Sequence, residues 1–239
     1  MPRSFFRVEA PRAVRAVRAL LADPDDLPQV FTLIEALSHG TIVRLERRLR
    51  QHQGGWLLAT RPEIVAQLED REALRRLPEG SLGRTYLAFL ESEGISAAGI
   101  RDAERRGLSG TRQLSTGQAF VTDRMRDTHD LWHAVTGYRG DLLGETALLA
   151  FTLAQTWNPG IAVILAVGLW KMSGAPQARA LVIDGFQRGR RAAWLLGEEW
   201  EELLAQPIEA LRERLKVSAP PAYTPVRSVE LKAAAAARN

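Results

Sequence analysis

Apolar residues recur at three- and four-residue spacing along almost the whole chain, and alternating runs of β-branched residues are nearly absent. That is the helical period, because i, i+3 and i+4 share one face of an α-helix whereas a strand alternates sides at every residue. The spacing predicts helices over 11–22, 26–38, 41–51, 61–76, 82–93, 96–106, 119–136, 142–156, 161–172, 176–196 and 198–215. Punctuation falls between them. Asp23-Pro24-Asp25 precedes the second, Gly54-Gly55 makes a loop, Gly80-Ser81 precedes the fifth, and Asn158-Pro159-Gly160 divides 142–156 from 161–172. With no internal repeat or long linker, residues 1–218 read as a single all-α domain, an irregular multi-helix bundle. Residues 219–239 open on Pro220-Pro221 and end in an alanine run, which predicts an extended or frayed tail.

Composition narrows the chemistry. There is no cysteine, so disulfides, thiolate metal sites and thiol catalysis are excluded, and any metal must be held by His, Asp, Glu or solvent. The net charge is +4, but the basic residues are mostly arginine and interleaved with acids, with no zinc finger, RNA-binding aromatic motif or basic tail; nucleic acid is not an expected partner. The N-terminus lacks the apolar core and cleavage site of a secretory signal. Glu9 and the run-on into further helices favour a mature N-terminus over a transit peptide, so the expected location is cytoplasmic. Arg12, Arg15 and Arg18 beside an apolar face suit docking on an anionic bilayer, and they equally suit a solvated basic surface.

From Thr146 to Trp170 no residue is charged, which approaches the length of a membrane span. Asn-Pro-Gly interrupts it, however, and leaves two halves each too short to cross; Thr152, Gln155 and Thr156 give the first half a polar edge. Two core helices are the expected outcome, with the variant that they wall an apolar cavity for an acyl or prenyl chain, because a helix apolar all round must bury every side.

Two of the four histidines, His129 and His133, lie four apart, with Asp130 between them. On a helix they point the same way, one turn apart, with Asp130 in the same quarter of the circumference. Gly137 and Gly140 break that helix, Asp141 is a natural N-cap, and Glu145 returns on the first turn of the next. Two imidazoles and one or two carboxylates suit zinc, iron(II) or manganese. On spacing alone, the alternative of two ordinary histidines and a capping acid stays open. The zinc-protease pattern fails because Asp130 stands where glutamate is needed and Arg139 where a third histidine is needed; the paired Glu-x-x-His segments of di-iron bundles are absent. A His-Asp phosphohydrolase of the HD type would have to recruit His39, His52 and Asp184, for which the spacing gives no reason.

The residues resemble the coenzyme Q biosynthesis protein 4 family, whose signature is HDxxH, eleven residues, then E. Here it reads His129-Asp130-Leu131-Trp132-His133, eleven residues from Ala134 to Gly144, then Glu145. Gln155, Thr156 and Pro159 match the family's following QTxxP block, LPEGSLGRTYLAFLESEGIS (77–96) resembles its upstream segment, and GEEWEELLAQPIEALRERLKV resembles its acidic-then-basic closing helix. The likeness covers roughly residues 75 to 220.

The resemblance implies an all-α fold and a divalent metal, zinc first and iron or manganese as alternatives, held by His129, Asp130, His133 and Glu145. It implies work at the inner face of the membrane on an isoprenoid quinone precursor or another prenyl lipid. The role is either oxidative decarboxylation of the precursor ring at carbon 1 or non-catalytic scaffolding of the other ubiquinone-synthesising enzymes; a second copy of the chain is a candidate partner. Phe151, Gln155, Trp157, Ile161, Ile164 and Leu165 are then candidates to line a lipid pocket, and Arg126 or Arg139 to pair with the substrate carboxylate. One departure stands out: eukaryotic members carry Lys-Trp and a second glutamate where this chain has Leu149-Ala150 and Thr152.

Overall fold

In a computed structural model of the chain, the structure describes residues 8–23, 26–51, 55–108, 113–172, 176–218 and 221–227. The helices are α1 (Ala10–Ala22), α2 (Leu27–Leu37), α3 (His39–Gln51), α4 (Gly55–Thr60), α5 (Val65–Glu69), α6 (Arg71–Arg76), α7 (Leu82–Glu93) and α8 (Ala97–Gly107). After them come α9 (Thr116–Asp127), α10 (His129–Thr136), α11 (Leu142–Thr156), α12 (Pro159–Lys171), α13 (Ala178–Arg191), α14 (Trp200–Leu203) and α15 (Ile208–Arg214). No strand occurs among the described residues, and the fold is all-α, as the apolar period requires.

Several expected helices are divided, each for a local reason. The segment 61–76 breaks where Asp70 leaves the helix and accepts the Ala73 amide, capping α6. The segment 119–136 is interrupted at Thr128, whose φ of −96° and ψ of 0° depart from the helix and whose buried hydroxyl donates to the Arg124 carbonyl one turn back. The stretch 176–196 ends as a helix at Arg191 and continues into a 3-10 turn at Leu195–Gly197. The stretch 198–215 opens between α14 and α15, where the Leu204 and Gln206 carbonyls accept the Gly83 and Leu82 amides at the start of α7. The helix α4 lies in a stretch read from the sequence as loop.

Helix α11 is the axis of the bundle. Its most extensive partner is α13, which runs parallel to it and so close that a Cβ at Gly185 would meet the Ala147 carbonyl oxygen at 2.3 Å. Helix α12 returns along α11, with Gly168 beside Thr146. The larger apolar core joins α3–α7, α9–α11 and α13–α15, and a smaller one joins α1, α2 and α12 through Ala16, Leu20, Leu33 and Ile164. The break between α11 and α12 is built by Asn158, whose side-chain oxygen accepts the Gly160 and Ile161 amides and the Ser38 hydroxyl. No helix among the described residues is long and apolar enough to cross a membrane. The arginine row of α1 is not continuous either: Arg12 turns inward to Glu35 and the Gly107 carbonyl, leaving Arg15 and Arg18 exposed.

Candidate metal centre

Helix α10 is short and buried on almost every side, from Asp130 to Thr136. Its C-terminal carbonyls are satisfied by two arginines from distant helices. Arg212 donates to the Ala134 and Val135 oxygens, and Arg188 to that of Thr136. Cations suit this end because the exposed carbonyls carry the negative pole of the helix. Gly137 then ends the helix at φ 76°, a left-handed conformation that glycine adopts at no steric cost. The Asp141 carboxylate accepts the Leu143 amide and starts α11, so Glu145 comes back beside the histidines within one helical turn.

The four residues converge. Ligand atoms of His129, Asp130 and His133 lie within 4.8 Å of one another, and theirs is the metal-competent cluster found among the described residues. Across the turn, Glu145 places Oε1 3.2 Å from His133 Nε2 and Oε2 3.8 Å from His129 Nε2. His133 is fully enclosed; the His129 and Glu145 side chains keep 28% and 40% of their surface open, so the cluster is reached from solvent on one side.

Hydrogen bonding assigns the tautomers. His133 Nδ1 lies 3.0 Å from the Tyr138 carbonyl, which can only accept, so Nδ1 carries a proton in either charge state; the neutral ring turns its Nε2 lone pair toward the cluster, and the protonated ring donates from Nε2 to Glu145. Apart from the Glu145 carboxylate 3.2 Å away, no protein group faces that buried Nε2. His129 Nδ1 lies 3.0 Å from Asp130 Oδ1, which likewise frees its Nε2. An imidazole anchored through one nitrogen and offering the other is the arrangement metal-binding histidines adopt. In this set Asp130 can either ligate directly or orient His129. The donor set therefore fits a divalent cation that accepts nitrogen and oxygen ligands.

Electrostatics agree with the geometry. Burial alone would raise the Glu145 pKa, but the charge and hydrogen bond of His133 and the charge of His129 outweigh it and bring the carboxyl down to about 2. With 40% of that side chain open to solvent, the imidazole pair is what holds the carboxylate charged. Burial opposes charge on His133, yet Glu145, Asp130 and the Tyr138 carbonyl together hold its pKa above the ordinary histidine value.

The other candidates fall in different places. Arg126 is partly buried with its guanidinium engaged by Asp127, Glu104 and Asp123, and so is committed to a structural network. Arg139 is exposed in the α10–α11 turn, beside the centre. Phe151, Gln155, Ile161, Ile164 and Leu165 are buried in the helix packing, and Trp157 is 54% exposed. Gln155 is anchored at both ends of its amide, donating to the Gly189 carbonyl and accepting the Leu195 amide. For the HD-type alternative, Asp184 accepts the Tyr138 hydroxyl, His39 begins α3, and His52 lies outside the described residues.

Some parts of the centre carry no signature in the sequence motif. Phe89 of α7 stacks on the His133 imidazole, with ring centroids 4.8 Å apart and 14° between planes. Glu93, one turn further along α7, accepts the Gly140 amide. Both lie in the 77–96 block, and their four-residue spacing puts them on one helical face; that was the signal available.

Comparisons with known proteins place the chain. The model of the family described as coenzyme Q (ubiquinone) biosynthesis protein Coq4 matches residues 9–221. The zebrafish mitochondrial ubiquinone biosynthesis protein COQ4 homolog is 30% identical over 216 residues, which is 87% of this chain and 76% of that protein. The human mitochondrial homolog is 32% identical over 211 residues, 85% and 76% of the two chains. A crystal structure of a candidate ubiquinone biosynthesis protein from Nostoc punctiforme shares the fold with a TM-score of 0.65 at 23% identity, covering 88% of this chain and 99% of that one.

Proposed function

The chain belongs to the coenzyme Q (ubiquinone) biosynthesis protein Coq4 family, and from that premise we propose that it binds a divalent cation, zinc in the first place, through His129, Asp130, His133 and Glu145. The observation that carries this is the buried His133: its Nδ1 is held by the Tyr138 carbonyl while its Nε2 points at the Glu145 carboxylate and at the open side of the cluster. A cation bound there supplies Lewis acidity toward a ring carboxylate or phenol oxygen. The chain's own residues orient that site: Asp130 and Tyr138 fix the two imidazoles, Phe89 closes one wall, and Arg139 is exposed in the adjoining turn, within reach of an anionic head group.

The substrate we assign is a prenylated hydroxybenzoate, and the reaction is oxidative decarboxylation at ring carbon 1. With dioxygen as oxidant the balance closes: a 4-hydroxybenzoate ring and one dioxygen yield a benzoquinone, carbon dioxide and water. The work takes place at the inner face of the membrane beside the other quinone-synthesising enzymes. The curated relatives are mitochondrial proteins.

A scaffolding role, in which the cation only ties α10 to α11, is the competing reading, favoured by the depth of burial of His133. His133→Ala separates the two in a host whose quinone synthesis depends on this protein. The catalytic reading expects a folded, assembled, metal-depleted variant that accumulates the carboxylated precursor, read by lipid mass spectrometry with elemental analysis of the purified protein. Normal quinone synthesis by that folded, metal-free variant would end the catalytic reading; loss of assembly together with metal would favour the scaffold.

A further inference from the structure

The turn that joins the two ligand-bearing helices is held by a segment far away in sequence. Residues 221–227, which form no helix, lie against residues 139–142. The Val226 carbonyl accepts the Leu142 amide at 2.9 Å, and the Val226 amide donates to Asp141 Oδ1 at 2.9 Å. The Tyr223 hydroxyl donates to Asp141 Oδ2 at 2.8 Å and accepts the Arg139 amide at 2.9 Å. Arg227 reaches Glu93, whose other oxygen holds the Gly140 amide.

Asp141 is the hinge of this arrangement. It is 3% exposed and receives three donors: the Leu143 amide of its own helix, the Val226 amide and the Tyr223 hydroxyl. Its carbonyl accepts the amide of Glu145 one turn on. Wherever Asp141 sits, the backbone of Glu145 follows. Gly144, next to Glu145, leaves the room that the Tyr223 hydroxyl fills: a Cβ there would meet that oxygen at 2.5 Å and the Arg139 carbonyl oxygen at 2.0 Å. The contacts are therefore fitted to this turn, and α10 is fixed independently by Arg188 and Arg212.

We propose that residues 221–227 are a positioning strap for the metal centre, in which Tyr223 and Val226, acting through Asp141, set the distance of Glu145 from the His129–His133 pair. This rests on the metal reading above. Tyr223 is a positioning residue, since the cluster atoms are reached only through Asp141 and the first turn of α11. Groups hydrogen-bonded directly to a ligand change metal affinity by roughly 10- to 100-fold when removed; Tyr223 acts one residue further out, and the lower end of that range applies.

The test uses the full-length protein, Tyr223→Phe and cobalt(II) as the probe. The expected result is cobalt affinity weakened by roughly 10-fold, with a changed visible absorption envelope. A merely structural contact would lower the melting temperature and leave both unchanged, and that outcome overturns the strap. If the unaltered protein binds no cobalt, the metal reading fails separately, and the strap is judged on the metal-free protein. There, a shift of the His133 ring nitrogen resonances in Tyr223→Phe supports it and identical resonances overturn it. Should Tyr223→Phe not fold, Val226→Pro, which deletes one N–H donor to Asp141, is read by the same criteria.

Discussion

His133 Nε2 and Glu145 Oε1 meet at 3.2 Å across a turn of five residues, 137–141, that neither helix could hold in place alone. Burial opposes the charged imidazole, but the Glu145 charge is the largest influence raising the His133 pKa. Glu145→Gln removes that influence, and the His133 pKa is expected to fall, as followed by ring resonances in a pH titration. The sign of the accompanying stability change follows from linkage. A raised histidine pKa gives stability that is fully present below the ordinary value near 6.5 and fades as pH rises through the folded-state value. Metal-free wild type should therefore exceed Glu145→Gln in stability on the acid side of that window and lose the advantage above it. Equal stability at all pH values would show that the pair contributes nothing.

Phe89 presents its ring face to the same imidazole. A stacked aromatic pair contributes about 1 kcal/mol beyond the area it buries. Phe89→Leu keeps an apolar wall but loses the stack, so metal-free unfolding in urea should shift by about 1 kcal/mol. The same substitution should also broaden the His133 ring signals, because the imidazole would keep its Tyr138 anchor but lose its flat neighbour. An unchanged midpoint with sharp signals would contradict this.

The helical architecture could be read from the sequence because nearly every segment keeps one apolar period, and the ligand quartet because its spacing is short. His129, Asp130 and His133 lie within one turn and Glu145 within one loop, so local geometry suffices to bring them together. The remainder depends on long-range pairings with no periodic mark. Tyr223 reaches Asp141 over 82 residues of separation, and Arg212 reaches Ala134 over 78. The helix breaks at Asp70 and Thr128 are each marked by a single side-chain hydrogen bond to the backbone, and composition over a window is blind to such bonds. Arg126 illustrates the converse. It sits three residues before His129, yet the neighbouring Asp127 and Asp123 and the distant Glu104 claim its guanidinium.

That network supports a prediction about acid stability. Asp127 is 8% exposed and lies between Arg101 and Arg126. Burial would raise its pKa, but the hydrogen bonds from both arginines prevail and lower it. A depressed carboxyl pKa gives stability that is present above the unfolded value near 3.9 and is lost as pH falls through the folded one. Asp127→Asn should cost about 1.5 kcal/mol at neutral pH, the value of a charge-assisted hydrogen bond, since Arg126 keeps Glu104 and Asp123 and the partly exposed Arg101 keeps Glu63. Its deficit relative to wild type should shrink as pH drops below 4. Denaturant midpoints measured across that range decide the matter: a deficit that is constant with pH would assign the loss to packing and not to charge.

The last prediction concerns the scaffold that carries Glu145. Helices α11 and α13 run parallel at backbone contact, and the position of Gly185 faces the Ala147 carbonyl with 2.3 Å for an added Cβ. The obstacle is backbone on the same helix as Glu145, two residues further on, so it cannot swing aside as a flexible side chain would. Gly185→Ala gains helix propensity of up to about 1 kcal/mol, against overpacking that costs roughly 1–3 kcal/mol or more where backbone must move. The net expectation is destabilisation, together with weaker cobalt binding as α11 is pushed outward. Gly168→Ala is the matched control, because its Cβ would meet only the Thr146 side chain, at 3.5 Å or beyond, together with the end of Met172. It should leave cobalt affinity unchanged and raise stability slightly. If the two substitutions behave alike, the close approach of α13 does not set the position of α11.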